Sequence, residues 1–175
     1  MKAVFGLCCL ALLSNGYAYA AEEDWAACNN ERGDISIQAC TRIIERGGES
    51  DEQLSRAYYN RGYEYEALRD FDKAIADYRE AIRLDPQAKL AHNNLGLMLY
   101  EKGGREPNWE AHAAYSRAIE IDPELSQAYF NRGVVGFKLG EYAGAVTDFE
   151  KTLSLKPDHK LAPEWLAEAR RLAGE

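Results

Sequence analysis

The sequence predicts an all-α chain built from consecutive helix-turn-helix units, and three observations carry that expectation. A glycine-centred segment recurs as Tyr58-Tyr59-Asn60-Arg61-Gly62, His92-Asn93-Asn94-Leu95-Gly96 and Tyr129-Phe130-Asn131-Arg132-Gly133. Each copy closes on a proline (Pro86, Pro123 or Pro157), 24 residues after the glycine in the first and third copies and 27 in the second. Alanine supplies 26 of the 175 residues and tyrosine 11, against five Phe and five Pro, where a β-sandwich would want more Val, Ile and Thr. At 46% hydrophobic and 29% charged the composition is that of a folding chain, long enough for one domain or a short array. A net charge of −8 argues against nucleic acid, whose non-specific affinity comes from Lys and Arg on phosphates.

Residues 1–20 read as a targeting segment. Lys2 precedes an apolar run from Ala3 to Leu13, and small residues follow to Ala18-Tyr19-Ala20. This is the three-part pattern of a secretory signal peptide, with cleavage expected after Ala20. The run is too short for a membrane span, which takes about 20 apolar residues, so the mature chain is expected to carry none. Cys8 and Cys9 lie inside the run without a preceding small-residue box, which argues against a lipid anchor. Export leaves Cys28 and Cys40 as the only later thiols, and a disulfide is the default for such a pair. A metal site lacks ligands, because His92, His112 and His159 are scattered and closed zinc sites take four. No cofactor is expected.

Residues 21–54 are read as a disulfide-pinned, degenerate helical pair. Gly33-Asp34 leads into Ile35, Ile37, Cys40, Ile43 and Ile44 at helical spacing. Cys40 takes the place that Tyr78 takes in the next unit, and Trp25 and Cys28 sit on a shortened first helix. Three copies follow at 55–88, 89–125 and 126–159, the second with a three-residue insertion. In each, Gly62, Gly96 or Gly133 removes a side chain where two helices meet, and Ala74, Ala81, Ala111, Ala118 and Ala145 do so from the second helix. Tyr58, Tyr65, Tyr78, Tyr115, Tyr129 and Phe149 fill the volume between. Asp72 is the expected N-cap of a helix over Lys73–Leu84, which Asp85-Pro86 ends. The insertion, Glu101 to Trp109, holds two glycines and a proline and so reads as a loop, with Asn108 placed to cap the next helix. Trp109 either packs onto the array or lies exposed as a partner contact. Residues 160–175 form a capping helix, with Leu161, Trp165, Leu166, Ala169 and Leu172 opposite Glu164, Glu168 and Arg171.

Residue by residue, the three copies resemble the tetratricopeptide repeat. The signature falls on Tyr58, Gly62, Tyr65, Ala74, Tyr78, Ala81 and Pro86, then on His92, Leu95, Gly96, Leu99, Ala111, Tyr115, Ala118 and Pro123. In the third copy it falls on Tyr129, Gly133, Ala145, Phe149 and Pro157. His92, Gly136 and Thr152 depart from it. The resemblance implies a right-handed α-solenoid whose concave groove is lined by the first helix of each pair, and similar exported members are bacterial. No nucleotide loop, nucleophile elbow or paired His/Glu metal motif is present, so an enzyme is not expected.

Carried onto this sequence, the groove positions are Arg56, Tyr59, Asn60, Tyr63 and Glu66, then Asn93, Asn94, Leu97 and Tyr100, then Gln127, Phe130, Asn131, Val134, Phe137 and Lys138. Asn60, Asn94 and Asn131 share one register, where an amide can hold the backbone of an extended peptide, or simply stabilise the helix face. Tyr59, Tyr63, Tyr100, Phe130 and Phe137 add the aromatic area favoured at binding hot spots. Chaperone-type members carry a carboxylate clamp of Lys and Arg, but Tyr59, Tyr63, Gln127 and Asn131 stand where its residues would sit. The expected role is therefore a non-catalytic module that binds a partner protein or extended peptide, in the periplasm or secreted. The alternative is an accessory subunit of an envelope assembly that docks through its outer helical faces. Residues 21–54 hold nine acids and three bases while 55–175 hold 20 and 17, so net acidity by itself predicts no basic partner for the groove.

Overall fold

A computed structural model describes residues 19–103 and 109–174. Among these residues there are nine helices and no strand: α1 (19–30), α2 (Asp34–Arg46), α3 (Asp51–Ala67), α4 (Phe71–Leu84), α5 (Lys89–Lys102), α6 (Trp109–Ile121), α7 (Ser126–Lys138), α8 (Tyr142–Leu155) and α9 (Ala162–Ala173). Consecutive helices pack against each other from α2 to α9, so the chain stacks hairpin upon hairpin. The signal-peptide reading falls mainly on residues 1–18, outside the described residues, while Tyr19 and Ala20 lie in α1. No described helix is long and apolar enough to cross a membrane.

Helix boundaries follow local chemistry. Ser50 and Gln53 form a capping box at α3, the Ser50 hydroxyl accepting from the Gln53 N–H while the Gln53 side chain accepts from the Ser50 N–H. Asp70, not Asp72, caps α4: its carboxylate accepts from the Lys73 N–H at 3.3 Å, and Asp72 lies in the helix's first turn. The helix starts two residues earlier than expected, directly after a turn in which Arg69 takes a left-handed φ of 59°. Asp85 terminates α4 ahead of Pro86 as expected. Asn108 lies outside the described residues.

Within each repeat an aromatic ring lies against a glycine. A Cβ on Gly62 would meet the Tyr78 ring at 3.1 Å, one on Gly96 the Tyr115 ring at 2.8 Å, and one on Gly133 the Phe149 ring at 2.8 Å. The three rings are at most 1% exposed. In the first pair the same place is held by Cys28 and Cys40, with Cα atoms 4.9 Å apart and sulfurs 2.12 Å apart. Around them Ala39, Ile43 and Ala57 complete a small core. Buried Asp24 binds Arg42 at 2.7 Å and also Arg46, tying α1 to α2. Buried Glu64 of α3 accepts from the Gly33 N–H at 2.7 Å and from Arg32 at 3.0 Å. Gly33 makes that approach at φ 60°, a left-handed conformation that favours glycine.

A polar clasp repeats beside the wedge. Arg61 donates through Nε and Nη2 to both oxygens of Asp77 at 2.8 Å and through Nη1 to Thr41 at 3.0 Å. Arg132 does the same to Asp148 at 2.8 and 2.7 Å and to Ser116 at 3.2 Å. Each arginine thus joins the two helices of its own hairpin to the preceding one. In the middle repeat the corresponding residues are Leu95 and Ala114, both buried.

The C-terminal helix closes the stack differently from the expected pattern. Ala162 and Ala169 are fully buried, and the Trp165 ring meets Phe137 edge-on at 5.2 Å and Phe149 at 6.1 Å. Leu161 and Leu172 point outward, 52% and 38% exposed, and Ile35 of α2 does so too at 58%. Small alanines let α9 approach closely, so Trp165 and the half-buried Leu166 cover the end, without the Leu161 and Leu172 expected beside them.

Candidate functional site

Contacts between non-consecutive helices run from α5 to α7 and from α7 to α9. Helices α5 and α7 therefore lie side by side, and Asn94 of α5 bonds to Tyr78 beside Tyr59 of α3, so α3, α5 and α7 share the face that carries the residues expected to line a groove. Tyr59, Asn60, Asn94, Leu97, Asn131, Val134 and Phe137 are half-buried there and Tyr63 is exposed. Asn93, Tyr100 and Phe130 are buried and serve packing. His159 stacks 4.3 Å from the Phe130 ring with Phe149 on its other flank at 5.8 Å, and Lys138 lies over Tyr100 at 5.3 Å. Phe137 packs between Tyr142 and Trp165.

The shared asparagine register is engaged within the chain. Asn60 donates to the Asn29 side chain at 2.9 Å and to the Cys28 carbonyl at 3.4 Å. Asn94 accepts from Asn93 at 3.0 Å and donates to the Tyr78 hydroxyl at 3.3 Å. Asn131 accepts from Gln127 at 2.9 Å and donates to Asn93 at 3.4 Å. These amides lock helix to helix, and any peptide backbone would have to compete with or share those bonds.

The polar centre of the face lies between α3, α4 and α5. Tyr78 extends from its buried ring to donate its hydroxyl to Glu66 at 2.7 Å, and the Tyr59 ring stands 5.8 Å from the Tyr78 ring. Burial pushes the Glu66 carboxyl above the usual carboxylate range, an effect partly offset by the Tyr78 hydrogen bond. Burial and the Glu66 charge push Tyr78 and Tyr59 above the usual phenol range, so both remain protonated. Sequence reading put Glu66 on the groove face without singling it out, and it assigned Tyr78 to packing alone. Tyr78 does both.

Two recesses adjoin this centre. One of about 240 Å³ is bounded by Asn29, Arg32, Tyr59, Asn60, Tyr63 and Glu64. The other, about 780 Å³, lies where α3 and α5 begin and is lined by Arg56, Tyr59, Lys89, Leu90 and Asp122 among others. Trp109 is 61% exposed at the start of α6, the second helix of its pair, its ring edge-on to His112 at 5.9 Å. Of the two placements open for Trp109, the structure shows the exposed one.

Residues 55–87 and 110–160 match family models described as tetratricopeptide repeat. The chain carries tetratricopeptide repeats. A curated relative, the "FK506-binding protein-like" protein of Rattus norvegicus, is 33% identical over 67 residues, which are 38% of this chain but only 18% of that protein's length. The same-named protein of Mus musculus is 32% identical over the same share. Among solved structures, MamA superposes with a TM-score of 0.76 at 22% identity, covering 90% of this chain and 84% of MamA. The second repeat domain of human RPAP3, solved in complex with the HSP70 peptide SGPTIEEVD, superposes at 0.63 with 26% identity, covering 69% of this chain and 98% of that domain. A tetratricopeptide-repeat array is a protein-interaction scaffold, and the face formed by α3, α5 and α7 is its candidate binding surface.

Proposed function

We propose that the α3–α5–α7 face holds an extended segment of a partner protein. The observation that carries this reading is the row of part-exposed Tyr59, Tyr63, Leu97, Val134 and Phe137 on one converging face, mixed apolar and amphipathic area of the kind that dominates binding energy. The RPAP3 domain bound to its HSP70 peptide supports the use of such a face. That peptide closes on Glu-Glu-Val-Asp, whereas here Tyr59, Tyr63, Gln127 and Asn131 offer no cation at the places where a carboxylate clamp would sit. The partner is therefore of another chemistry.

The signal-peptide pattern further supports an exported protein, periplasmic or secreted, in which Cys28 and Cys40 are oxidised to a disulfide. Exposed Trp109 favours one competing reading, an accessory subunit that docks through its outer face. A photo-crosslinking residue at position 63, 97 or 109, followed by recovery from periplasmic extract, separates the two. Adducts from 63 and 97 are expected. Adducts from 109 alone would overturn groove binding in favour of the outer face.

A further inference from the structure

We infer that the groove selects a partner segment bearing a Lys or Arg side chain, received by the Glu66 carboxylate beside Tyr59, Tyr78 and Asn94. This rests on the groove-binding reading above and names the chemistry of its occupant. The four acids buried among the described residues each have a cation: Asp24 has Arg42 and Arg46, Glu64 has Arg32, Asp77 has Arg61 and Asp148 has Arg132. Glu66 differs. Its hydrogen-bond partner among the described residues is the neutral Tyr78 hydroxyl, and no cation within the described residues acts on it. A carboxylate has about four lone-pair sites, and Tyr78 fills one.

The surroundings suit a cation of the right shape. Glu66 stands close enough to Tyr59 and Tyr78 for its charge to act on both phenols, and the Tyr59 ring is part-exposed on the groove face. An ammonium or guanidinium there would gain the carboxylate and the negative face of an aromatic ring together. One carboxylate is too few ligands for a metal ion, while it is what a single basic side chain needs. The chain's overall acidity did not predict this, since the repeats carry nearly balanced charge. The local lack of a counter-ion does.

The test is a random decapeptide library displayed on phage and panned against the wild type and against Glu66→Gln, whose amide oxygen still accepts from Tyr78. Wild-type selections should converge on Lys or Arg at one position. For a selected peptide made synthetically, replacing that residue by norleucine should weaken binding about tenfold or more in fluorescence polarisation. On Glu66→Gln the same replacement should change affinity less than about twofold. Selected peptides without a shared basic position, or a Lys/Arg preference kept by Glu66→Gln, would overturn the inference while leaving groove binding intact. Leu97→Arg, with Val134→Arg as a second groove blocker, tests the underlying reading once circular dichroism shows each variant folded. Binding that survives both blockers, or a library that yields no binder, would remove both proposals.

Discussion

Removing Arg132 while leaving Asp148 in place should destabilise the third repeat far more than removing both. Asp148 is 5% exposed and receives two charge-assisted hydrogen bonds from Arg132, at 2.8 and 2.7 Å. Arg132→Leu would strand that carboxylate in the interior and break the 3.2 Å bond to Ser116. Breaking a buried pair from one side costs about 3–5 kcal/mol. The guanidinium's 24% side-chain exposure lets water reach the vacated site, which places the loss near the lower bound, about 3 kcal/mol. The double variant Arg132→Leu/Asp148→Ala recreates the Leu95 and Ala114 arrangement of the middle repeat. It carries no stranded charge and should fall within about 1 kcal/mol of wild type. With a urea slope of about 2 kcal/mol per molar, the single variant's midpoint drops by about 1.5 M and the double variant's by about 0.5 M or less. Far-UV circular dichroism in urea at pH 7 reads both. A single variant shifted by less than the double would refute the reasoning, because the pair would then not be the source of the loss.

Two glycines on different surroundings should respond to alanine in opposite directions. A methyl on Gly96 would press on the Tyr115 ring at 2.8 Å, an overpacking loss of about 1–3 kcal/mol that outweighs the helix-propensity gain of about 1 kcal/mol. Gly144 of α8 has open space and should gain up to about 1 kcal/mol; a Gly96→Ala variant melting above Gly144→Ala would contradict the wedge. Glu66→Gln should leave stability unchanged at acid pH and raise it at neutral pH. The folded Glu66 pKa is raised by burial, so the wild type holds its full stability below the unfolded value of about 4.3. It loses part of that stability as pH rises through the folded value; wild-type and variant curves that run parallel from pH 4 to 8 would rule this out. Reduction of Cys28–Cys40, or Cys28→Ser, should cost about 3 kcal/mol for a loop of this length and strip hydrogen-exchange protection from α1 and α2 first. An unchanged melting temperature on reduction would show that the pair does not pin the first hairpin.

Much of the architecture is written in local pattern. The recurrence of glycine, aromatic and proline specifies three hairpins and their ends, because each residue acts through contacts within its own unit: Gly96 against Tyr115, Gly133 against Phe149, Asp85 ahead of Pro86. The Arg-Asp clasps were equally readable. Arg61 and Arg132 immediately precede the repeat glycines, Asp77 and Asp148 immediately precede the wedge aromatics, and Leu95 with Ala114 replace both partners together. What the pattern did not contain is which group from a neighbouring hairpin arrives opposite a given side chain. Asn60 meets Asn29 across 31 residues, Phe130 is roofed by His159, and Leu161 and Leu172 face outward because α9 settles on its alanines. Helical periodicity fixes the side of a helix on which a residue lies. The stacking of one hairpin on the next decides whether that side is buried, bonded or open, and this is why the repeats were legible from sequence while the Glu66–Tyr78 centre emerged only in three dimensions.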